Sequence, residues 1–147
     1  MNLFLFRVLQ TSIGDPETEV VIPRLKSDLL ELFEGVATQT LSERDVEFDE
    51  RVAAGVMLVS GGYPDKFEKE KSISGLNNVF DSMVFHAGTK QDGPAVLTAG
   101  GRVLCVTSLG KNQMRALDKT YENVAKIKFD KAYYRKDIGF DLDDRVD

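Results

Sequence analysis

The sequence is poor in residues that cross-link a chain or hold a metal: its 147 residues include one cysteine and one histidine. The single cysteine, Cys105, cannot form an internal disulfide, which fits a reducing compartment. We interpret it as a small core residue, because no basic neighbour would activate the thiol. His86 has no cysteine or second histidine at ligand spacing, so we expect a hydrogen-bonded strand residue. A catalytic base is the alternative for His86, but the sequence supplies no partner nucleophile.

Long apolar runs and an excess of basic residues are also missing. No run reaches the roughly 18 residues that a membrane helix needs. The apolar start at residues 1–9 has no basic region in front of it and no small-residue cleavage site after it. The net charge of −5 argues against nucleic-acid binding, because a phosphate backbone needs a net basic face. We therefore expect a cytoplasmic protein with no nucleic-acid partner and no membrane partner.

The residues that are present can build an ordinary core, with 42% hydrophobic and 29% charged residues. Short apolar runs predict β-strands at residues 3–9, 52–59, 83–89, 95–98 and 102–107. Gly100 and Gly101 separate the last two runs and predict a hairpin turn between them, because both can take positive φ. A further short strand is expected within residues 127–134.

Two stretches carry apolar residues at helical spacing. The clearer one covers residues 112–126, with Asn112 as the N-cap. Its apolar stripe, which we predict to be core, consists of Met114, Leu117, Tyr121, Val124 and Ala125. An earlier helix is predicted to open at Pro23, which is tolerated in a first turn, and to end near Gly35. Strands and helices together predict a small α+β unit, mostly antiparallel.

Residues 14–19, Gly-Asp-Pro-Glu-Thr-Glu, are too charged and too broken by glycine and proline to form a core element. One interpretation is a turn before a helix, because acidic side chains favour a helix N-terminus. The other is a loop against an active site. There Asp15 and Glu17 could orient an amine or support the outer shell of a metal.

A second island, Gly-Gly-Tyr-Pro at residues 61–64, follows a predicted strand. Glycine and proline together are typical of a turn that closes such a strand. The alternative is a close approach of backbone to a ligand at Gly61 and Gly62, with Tyr63 as a wall.

A third island, Arg-Lys-Asp-Ile-Gly at residues 135–139, is the best candidate for a phosphate site. It could equally be a charged turn that faces solvent. In the functional interpretation, Arg135 offers a fork of donors and Lys136 a point charge to one phosphate.

The three islands, in this order and spacing, resemble the C-terminal part of the phosphoribosylamine–glycine ligases, which are ATP-grasp enzymes of purine biosynthesis. The resemblance covers about residues 14 to 140 and extends to the stretches 23–29, 86–89 and 100–104. It implies that residues 46–147 form a small, mostly antiparallel half-barrel or sandwich-like domain with one packed helix. The charged segment 38–51 would hold the boundary. Residues 1–45 would be a helical remnant of the ATP-grasp domain, with residues 1–13 atypical.

The resemblance also implies a reaction. Family members join glycine to 5-phosphoribosylamine, using ATP with Mg²⁺ or Mn²⁺, and produce glycinamide ribonucleotide, ADP and phosphate. Asp15 and Glu17 would lie near the reacting groups. The implied substrate-binding residues are Gly61, Gly62, Tyr63, Arg135 and Lys136, with the last two on the ribose phosphate.

The stretch before Gly14 departs from the family pattern. Family members carry there a Glu and an Asn that hold Mg²⁺ against ATP, whereas residues 7–13 read Arg-Val-Leu-Gln-Thr-Ser-Ile. Mg²⁺ requires hard oxygen ligands, and the sequence has no P-loop or dinucleotide motif. We therefore expect the isolated chain to hold no ATP or metal and to be inactive alone. A stand-alone ligand-binding module and a half-enzyme that pairs with a separate ATP-binding chain are the alternatives.

Overall fold

The computed structural model describes residue 14 and residues 16–140, and the strand predicted over residues 3–9 lies outside them. The strands are β1 (Val52–Ser60), β2 (Ser72–Ile73), β3 (Ser82–His86), β4 (Thr89–Asp92), β5 (Ala95–Thr98), β6 (Arg102–Gly110) and β7 (Ala132–Tyr133). The α-helices are α1 (Thr18–Val21), α2 (Leu29–Ala37) and α3 (Gln113–Val124). Short 3-10 turns cover Ile22–Arg24, Leu41–Glu43 and Leu76–Asn78.

Two antiparallel sheets make up the β-structure of the described residues. One has four strands in the order β3-β6-β1-β7, and the other has three in the order β2-β5-β4. The long strands β1 and β6 pair from Val52 opposite Gly110 to Leu58 opposite Leu104, and after a register shift Val59 lies opposite Arg102. Neither sheet closes into a barrel over residues 14 and 16–140. The α+β class with mostly antiparallel strands is therefore confirmed.

The core lies where α3 crosses β1 and β6. Along β1 buried and half-buried residues alternate, as expected for a strand with one face against a core. Val56 and Leu58 of β1 pack with Leu104, Val106 and other buried apolar residues of the same cluster. Strand β6 is buried along nearly its whole length, which explains its apolar run over residues 103–106. Cys105 is fully buried there, as predicted.

The hairpin predicted at Gly100 and Gly101 is wrong, because the strands on either side belong to different sheets. Neither glycine has a positive φ. A Cβ on Gly101 would lie 2.1 Å from the ring of Tyr63, so this position is small to admit an aromatic side chain. The hairpin that does form joins β4 and β5 through Gly93, at φ 54°, with Asp92 opposite Ala95.

The single strand predicted over residues 83–89 is two strands, β3 and β4, in different sheets. The chain leaves the first sheet at Gly88, where a Cβ would lie 2.3 Å from the carbonyl oxygen of Arg102. His86 ends β3, and its Nδ1 lies 2.9 Å from the hydroxyl of Thr89. The prediction of a hydrogen-bonded strand residue at position 86 is therefore confirmed.

The two predicted helices exist, with different limits and faces. Pro23 is the second residue of a 3-10 turn, and α2 begins only after Asp28, whose Oδ1 accepts from the N–H of Leu30 at 2.8 Å. Asn112 caps α3 as predicted, accepting from the N–H of Arg115 at 3.0 Å. Met114, which we predicted to be core, is 64% exposed.

Half of the buried residues of α3 are polar. Besides Ala116 and Val124 its buried face carries Thr120 and Asn123. The Thr120 hydroxyl shares its one proton between the carbonyl of Ala116 in its own helix, at 2.8 Å, and the carbonyl of Ala54 in β1, at 3.0 Å. The side-chain amide of Asn123 bonds the backbone of Phe80 through both of its polar atoms. Its Nδ2 donates to the Phe80 carbonyl at 3.0 Å, and its Oδ1 accepts from the Phe80 N–H at 3.2 Å. These bonds satisfy buried polar groups that would otherwise be costly, and they fasten α3 to the sheet.

The short strand expected within residues 127–134 is β7. The division of the chain at residue 45 stays a prediction. In the structure α1 lies against the four-stranded sheet, with Val20 beside Gly55 of β1. No helix over residues 14 and 16–140 is long and apolar enough to cross a membrane.

We predict that replacing the buried anchor residue, Asn123→Ala, lowers the free energy of unfolding by about 2–4 kcal/mol, because both backbone groups of Phe80 lose their partner. Urea unfolding of the chain measures the loss. The matched control is Asn77→Ala at an exposed position, which should change it by less than about 0.5 kcal/mol. Equal effects of the two substitutions would contradict the anchoring role.

Candidate functional site

The three islands singled out in the sequence meet at one pocket of about 270 Å³. Pro16 comes from the first island, Tyr63 from the second, and Arg135 and Ile138 from the third. The remaining lining residues are Val56, Met57, Val59, Arg102, Tyr133 and Tyr134. We call this the three-island pocket. Segments more than 40 residues apart in sequence thus share one surface.

Strands β6, β1 and β7 build the floor of the pocket in one row. Val59 of β1 lies opposite Arg102 of β6 on one side and opposite Tyr133 of β7 on the other. Directly opposed residues of antiparallel strands point to the same face. The pairing therefore aligns a guanidinium and a phenol on either side of Val59.

Tyr63 forms a wall whose ring position is set by its neighbours. Its N–H donates to the carbonyl of Ser60 at 3.0 Å. Its ring packs on Gly101 and makes an edge contact with Phe67 at a centroid distance of 6.1 Å. The side chain remains 40% exposed, so one face is open to a ligand.

Gly61 and Gly62 do not line the three-island pocket. A Cβ on Gly61 would lie 2.6 Å from the carbonyl oxygen of Lys131. Gly62 has φ 98°, and its Cβ would lie 2.2 Å from the carbonyl oxygen of Lys66. Both glycines thus permit contacts within the protein that shape the turn below Tyr63. A direct role in ligand binding stays a prediction for both.

Arg135 lies at the rim of the pocket and is held by Asp137. Its Nε and Nη2 each donate to one carboxylate oxygen of Asp137 at 2.9 Å. This bidentate pair lowers the pKa of Asp137 and raises the pKa of Arg135. A guanidinium has five N–H donors, so the pair leaves three for another acceptor. Lys136 is exposed and does not line the pocket, and its role stays a prediction.

Of the two acidic residues predicted to be catalytic, Asp15 lies outside the described residues. Glu17 is exposed and directly precedes α1, and it does not line the three-island pocket. The Gly14 carbonyl accepts from both the N–H and the hydroxyl of Thr18, at 2.9 and 2.7 Å. The backbone here is the turn before a helix, and Pro16 brings that turn to the pocket. The catalytic role of the two acids stays a prediction.

Two pocket residues, Arg102 and Tyr133, were not among the predicted site residues. Arg102 was noted only as part of a stretch after two glycines, and Tyr133 only as part of a short strand. The signal that identifies them is their shared pairing with Val59, which a sequence without pairing information does not contain.

An apolar floor, tyrosine walls and arginine donors at the rim fit a small ligand with one anionic group. The rings can lie against a sugar or other flat face, and guanidinium groups bind phosphate or carboxylate through two parallel bonds. Larger grooves of about 410 to 470 Å³ lie around Arg51, but no residue of the three islands lines them.

Metal ligands of the usual kind are not grouped in the described part of the chain. No cluster of three His, Cys, Asp or Glu side chains occurs over residues 14 and 16–140. The stretch 7–13, where the resemblance would place ligands of Mg²⁺, lies outside the described residues.

Glu68 ties the loop after Tyr63 to the segment that leads into β7. Its carboxylate pairs with Lys71 and accepts from Lys131 Nζ at 3.1 Å. Hydrogen bonds from Lys71 and then Lys131 lower the pKa of Glu68 to about 2. Two walls of the three-island pocket are therefore joined by surface ion pairs.

Comparisons with known proteins give one family. The family model described as "Phosphoribosylglycinamide synthetase, C domain" matches residues 53–141. The chain is 46% identical over 127 residues to the phosphoribosylamine–glycine ligase of Halalkalibacterium halodurans, a match covering 86% of this chain and 29% of that protein. It is 45% identical over 129 residues to the ligase of Allochromatium vinosum, covering 86% of this chain and 30% of the relative.

A solved structure gives the same result. The crystal structure of phosphoribosylamine–glycine ligase from Thermotoga maritima matches with a TM-score of 0.68 and 32% identity, over 86% of this chain and 31% of that chain. The chain thus spans less than a third of the length of the ligases it matches.

We predict that Glu68→Gln lowers the melting temperature at neutral pH and that this difference shrinks as pH falls, becoming small near pH 2. The folded-state pKa of Glu68, about 2, is below its ordinary value of 4.5, so its stabilisation is fully present above pH 4.5 and is lost as pH falls toward 2. Thermal unfolding followed by circular dichroism at several pH values measures the difference.

The control for the acid titration is Glu50→Gln, at an exposed glutamate with no ion pair to a described residue. Its melting temperature should follow that of the original chain at every pH. A Glu68→Gln difference that persists unchanged down to pH 2 would show that charge on Glu68 is not the cause.

Proposed function

Because the chain belongs to the phosphoribosylglycinamide synthetase family, we propose that it works as the C-terminal part of an ATP-dependent phosphoribosylamine–glycine ligase. That enzyme joins glycine to 5-phosphoribosylamine and gives glycinamide ribonucleotide, ADP and phosphate, in purine biosynthesis in the cytoplasm. The identity of 45–46% to ligases of two bacteria supports the proposal. Within the ligase, this part of the chain binds and orients a small-molecule substrate.

The observation that carries the proposal is the meeting of the three islands at one pocket. We assign the ribose phosphate to the edge of the Arg135 guanidinium that Asp137 does not occupy. Charge-assisted bidentate bonds are the strong form of phosphate recognition. We assign Lys136, next along the chain, to the same phosphate as a second positive charge.

The sugar of the substrate fits between the tyrosine walls. Tyr63 and Tyr133 are 40% and 60% exposed, so both rings offer a face to a ligand. Gly61 and Gly62 allow the turn that places Tyr63. Arg102, across β1 from Tyr133, places a positive charge on the same face.

The first island supplies the acidic groups of the proposed site. Pro16 reaches the pocket, and we assign Asp15 and Glu17, on either side of it, to orienting the reacting amine. Carboxylates suit this role because they accept hydrogen bonds from an amine and can take up its proton. Holding two reactants in the correct geometry supplies a large part of the acceleration of a two-substrate reaction.

We assign ATP and Mg²⁺ or Mn²⁺ to the ligase as a whole. The described residues offer no cluster of metal ligands, so no step in this proposal passes through the metal. The work of this chain's own residues is to bind the phosphate, enclose the sugar and orient the amine.

The exposed face of α2 also fits a place within a longer ligase. Leu30, Phe33 and Val36 are 59–66% exposed, and a single domain rarely leaves such a row open to water. The ligases of two bacteria carry the matched segment within chains more than three times as long as the match, which would cover such a face. The exposed row alone fits a half-enzyme with a separate partner chain equally well, and it is the length of the relatives that favours a single longer ligase over a half-enzyme or a stand-alone module.

A chimera tests the proposed function. Residues 14–147 replace the matching segment of the Allochromatium vinosum ligase, and ADP release is measured with both substrates. We expect ADP release that requires phosphoribosylamine and glycine. In this chimera Arg135→Ala should raise KM for phosphoribosylamine about tenfold or more, since charge-assisted hydrogen bonds contribute about 1.5–3 kcal/mol.

The matched control is Arg115→Ala, which removes an exposed arginine of α3 outside the three-island pocket. Its KM should equal that of the unsubstituted chimera. A folded chimera without ligase activity would contradict the proposed function. An unchanged KM after Arg135→Ala in an active chimera would remove Arg135 from the phosphate site.

A further inference from the structure

The hydroxyl of Tyr121 connects α3 to the turn that carries Arg135. It donates to the carbonyl of Arg135 at 3.1 Å and accepts from the N–H of Ile138 at 3.1 Å. One hydroxyl thus bridges the two ends of a four-residue turn. Tyr121 itself is half-buried and packs at the edge of the core cluster, beside Tyr134 at a centroid distance of 6.3 Å.

A second side chain of α3 holds the end of the same turn. Gln113 Nε2 donates to the carbonyl of Gly139 at 2.8 Å. Gly139 has φ 78°, and a Cβ there would lie 2.8 Å from Gln113 Nε2. The turn over residues 135–139 is therefore bonded to α3 at three backbone groups. Helix α3 is in turn fixed to the sheet through Thr120 and Asn123.

We infer that Tyr121 is a positioning residue for Arg135 in phosphate binding. The inference rests on the proposed function, because it takes Arg135 as a phosphate ligand. Asp137 holds the guanidinium from the side, while Tyr121 fixes the backbone from which both side chains start. Together they aim the three remaining N–H donors of Arg135 at the three-island pocket.

Fixing the arginine in advance matters because its side chain is long and flexible. A free arginine loses rotamer freedom when it binds a ligand, and this loss weakens binding. An arginine already held in its binding geometry avoids most of that loss. A merely structural role for the Tyr121 hydroxyl predicts lower stability of the turn and no energetic coupling to Arg135 in ligand binding.

Tyr121→Phe is the variant of choice, because it keeps the ring and its packing and removes only the hydroxyl. The 147-residue chain is titrated with ribose 5-phosphate, and binding is followed by NMR of the backbone amides and of the Arg135 Nε–H. Four chains form a double-mutant cycle: the original, Tyr121→Phe, Arg135→Ala, and the double variant.

We expect Tyr121→Phe to raise the Kd about three- to tenfold, the range that loss of one or two hydrogen bonds gives. The same substitution in the Arg135→Ala background should leave Kd unchanged. The Arg135 Nε–H signal should shift less on addition of ligand when the hydroxyl is missing. A control for lost stability is Ser27→Ala, which removes two hydrogen bonds away from α3 and the pocket, to the carbonyl of Asp45 and from the N–H of Glu47, and should not alter Kd.

The outcomes separate this inference from the proposed function. If the original chain does not bind ribose 5-phosphate, or Arg135→Ala leaves Kd unchanged, the phosphate site itself is wrong, and the role of Tyr121 is wrong with it. If Arg135→Ala weakens binding while Tyr121→Phe does not, only the positioning role is overturned. An equal increase in Kd on Tyr121→Phe in the original chain and in the Arg135→Ala background would also overturn the positioning role.

Discussion

The pairing of β1 with β6 is the constraint on which the rest of the structure depends. It fixes which face of β1 is buried, because a shift of one residue would move every side chain to the opposite face. A shift of that register between Leu58 and Val59 sets Val59 opposite Arg102, while β7 adds Tyr133 on the other side. The floor of the three-island pocket is thus a consequence of strand pairing, and the three islands are added to it by turns.

Helix α3 carries this order from the sheet to the charged turn. Its buried side bonds to β1 through Thr120 and to the backbone before β3 through Asn123. Its neighbouring side bonds to the 135–139 turn through Gln113 and Tyr121. An interface made only of apolar side chains would tolerate several similar packings of the helix, whereas directed hydrogen bonds favour one arrangement. The polar residues on the buried face therefore specify the position of Arg135 as well as stabilising the fold.

Local patterns predicted the elements whose causes are local. Strand β1, the N-cap at Asn112 and the position of α3 follow from periodicity and capping, and all three were expected. The hairpin prediction at Gly100 was wrong because the glycines were expected to provide positive φ. Gly101 is instead small because the ring of Tyr63 packs against it. The prediction that Met114 lies in the core was wrong because the buried face of the helix was assumed to be apolar. That face instead carries Thr120 and Asn123, whose polar side chains are typical of surface positions in a sequence.

The candidate site was predictable to the same extent as the fold: its local sequence signals could be identified, and its tertiary arrangement could not. The three islands could be selected from composition and resemblance, yet their meeting at one pocket is a tertiary fact. Arg102 and Tyr133 could not be selected, because their role depends on which strands flank Val59.

The pairing of Arg135 with Asp137 also affects how this acidic chain attracts an anion. With its charge balanced by Asp137, Arg135 offers an anion little long-range attraction, so recognition at this rim depends on the direction of its remaining N–H donors. The direction of those donors depends on the backbone at Arg135, and a hydrogen bond from Tyr121 of α3 holds that backbone.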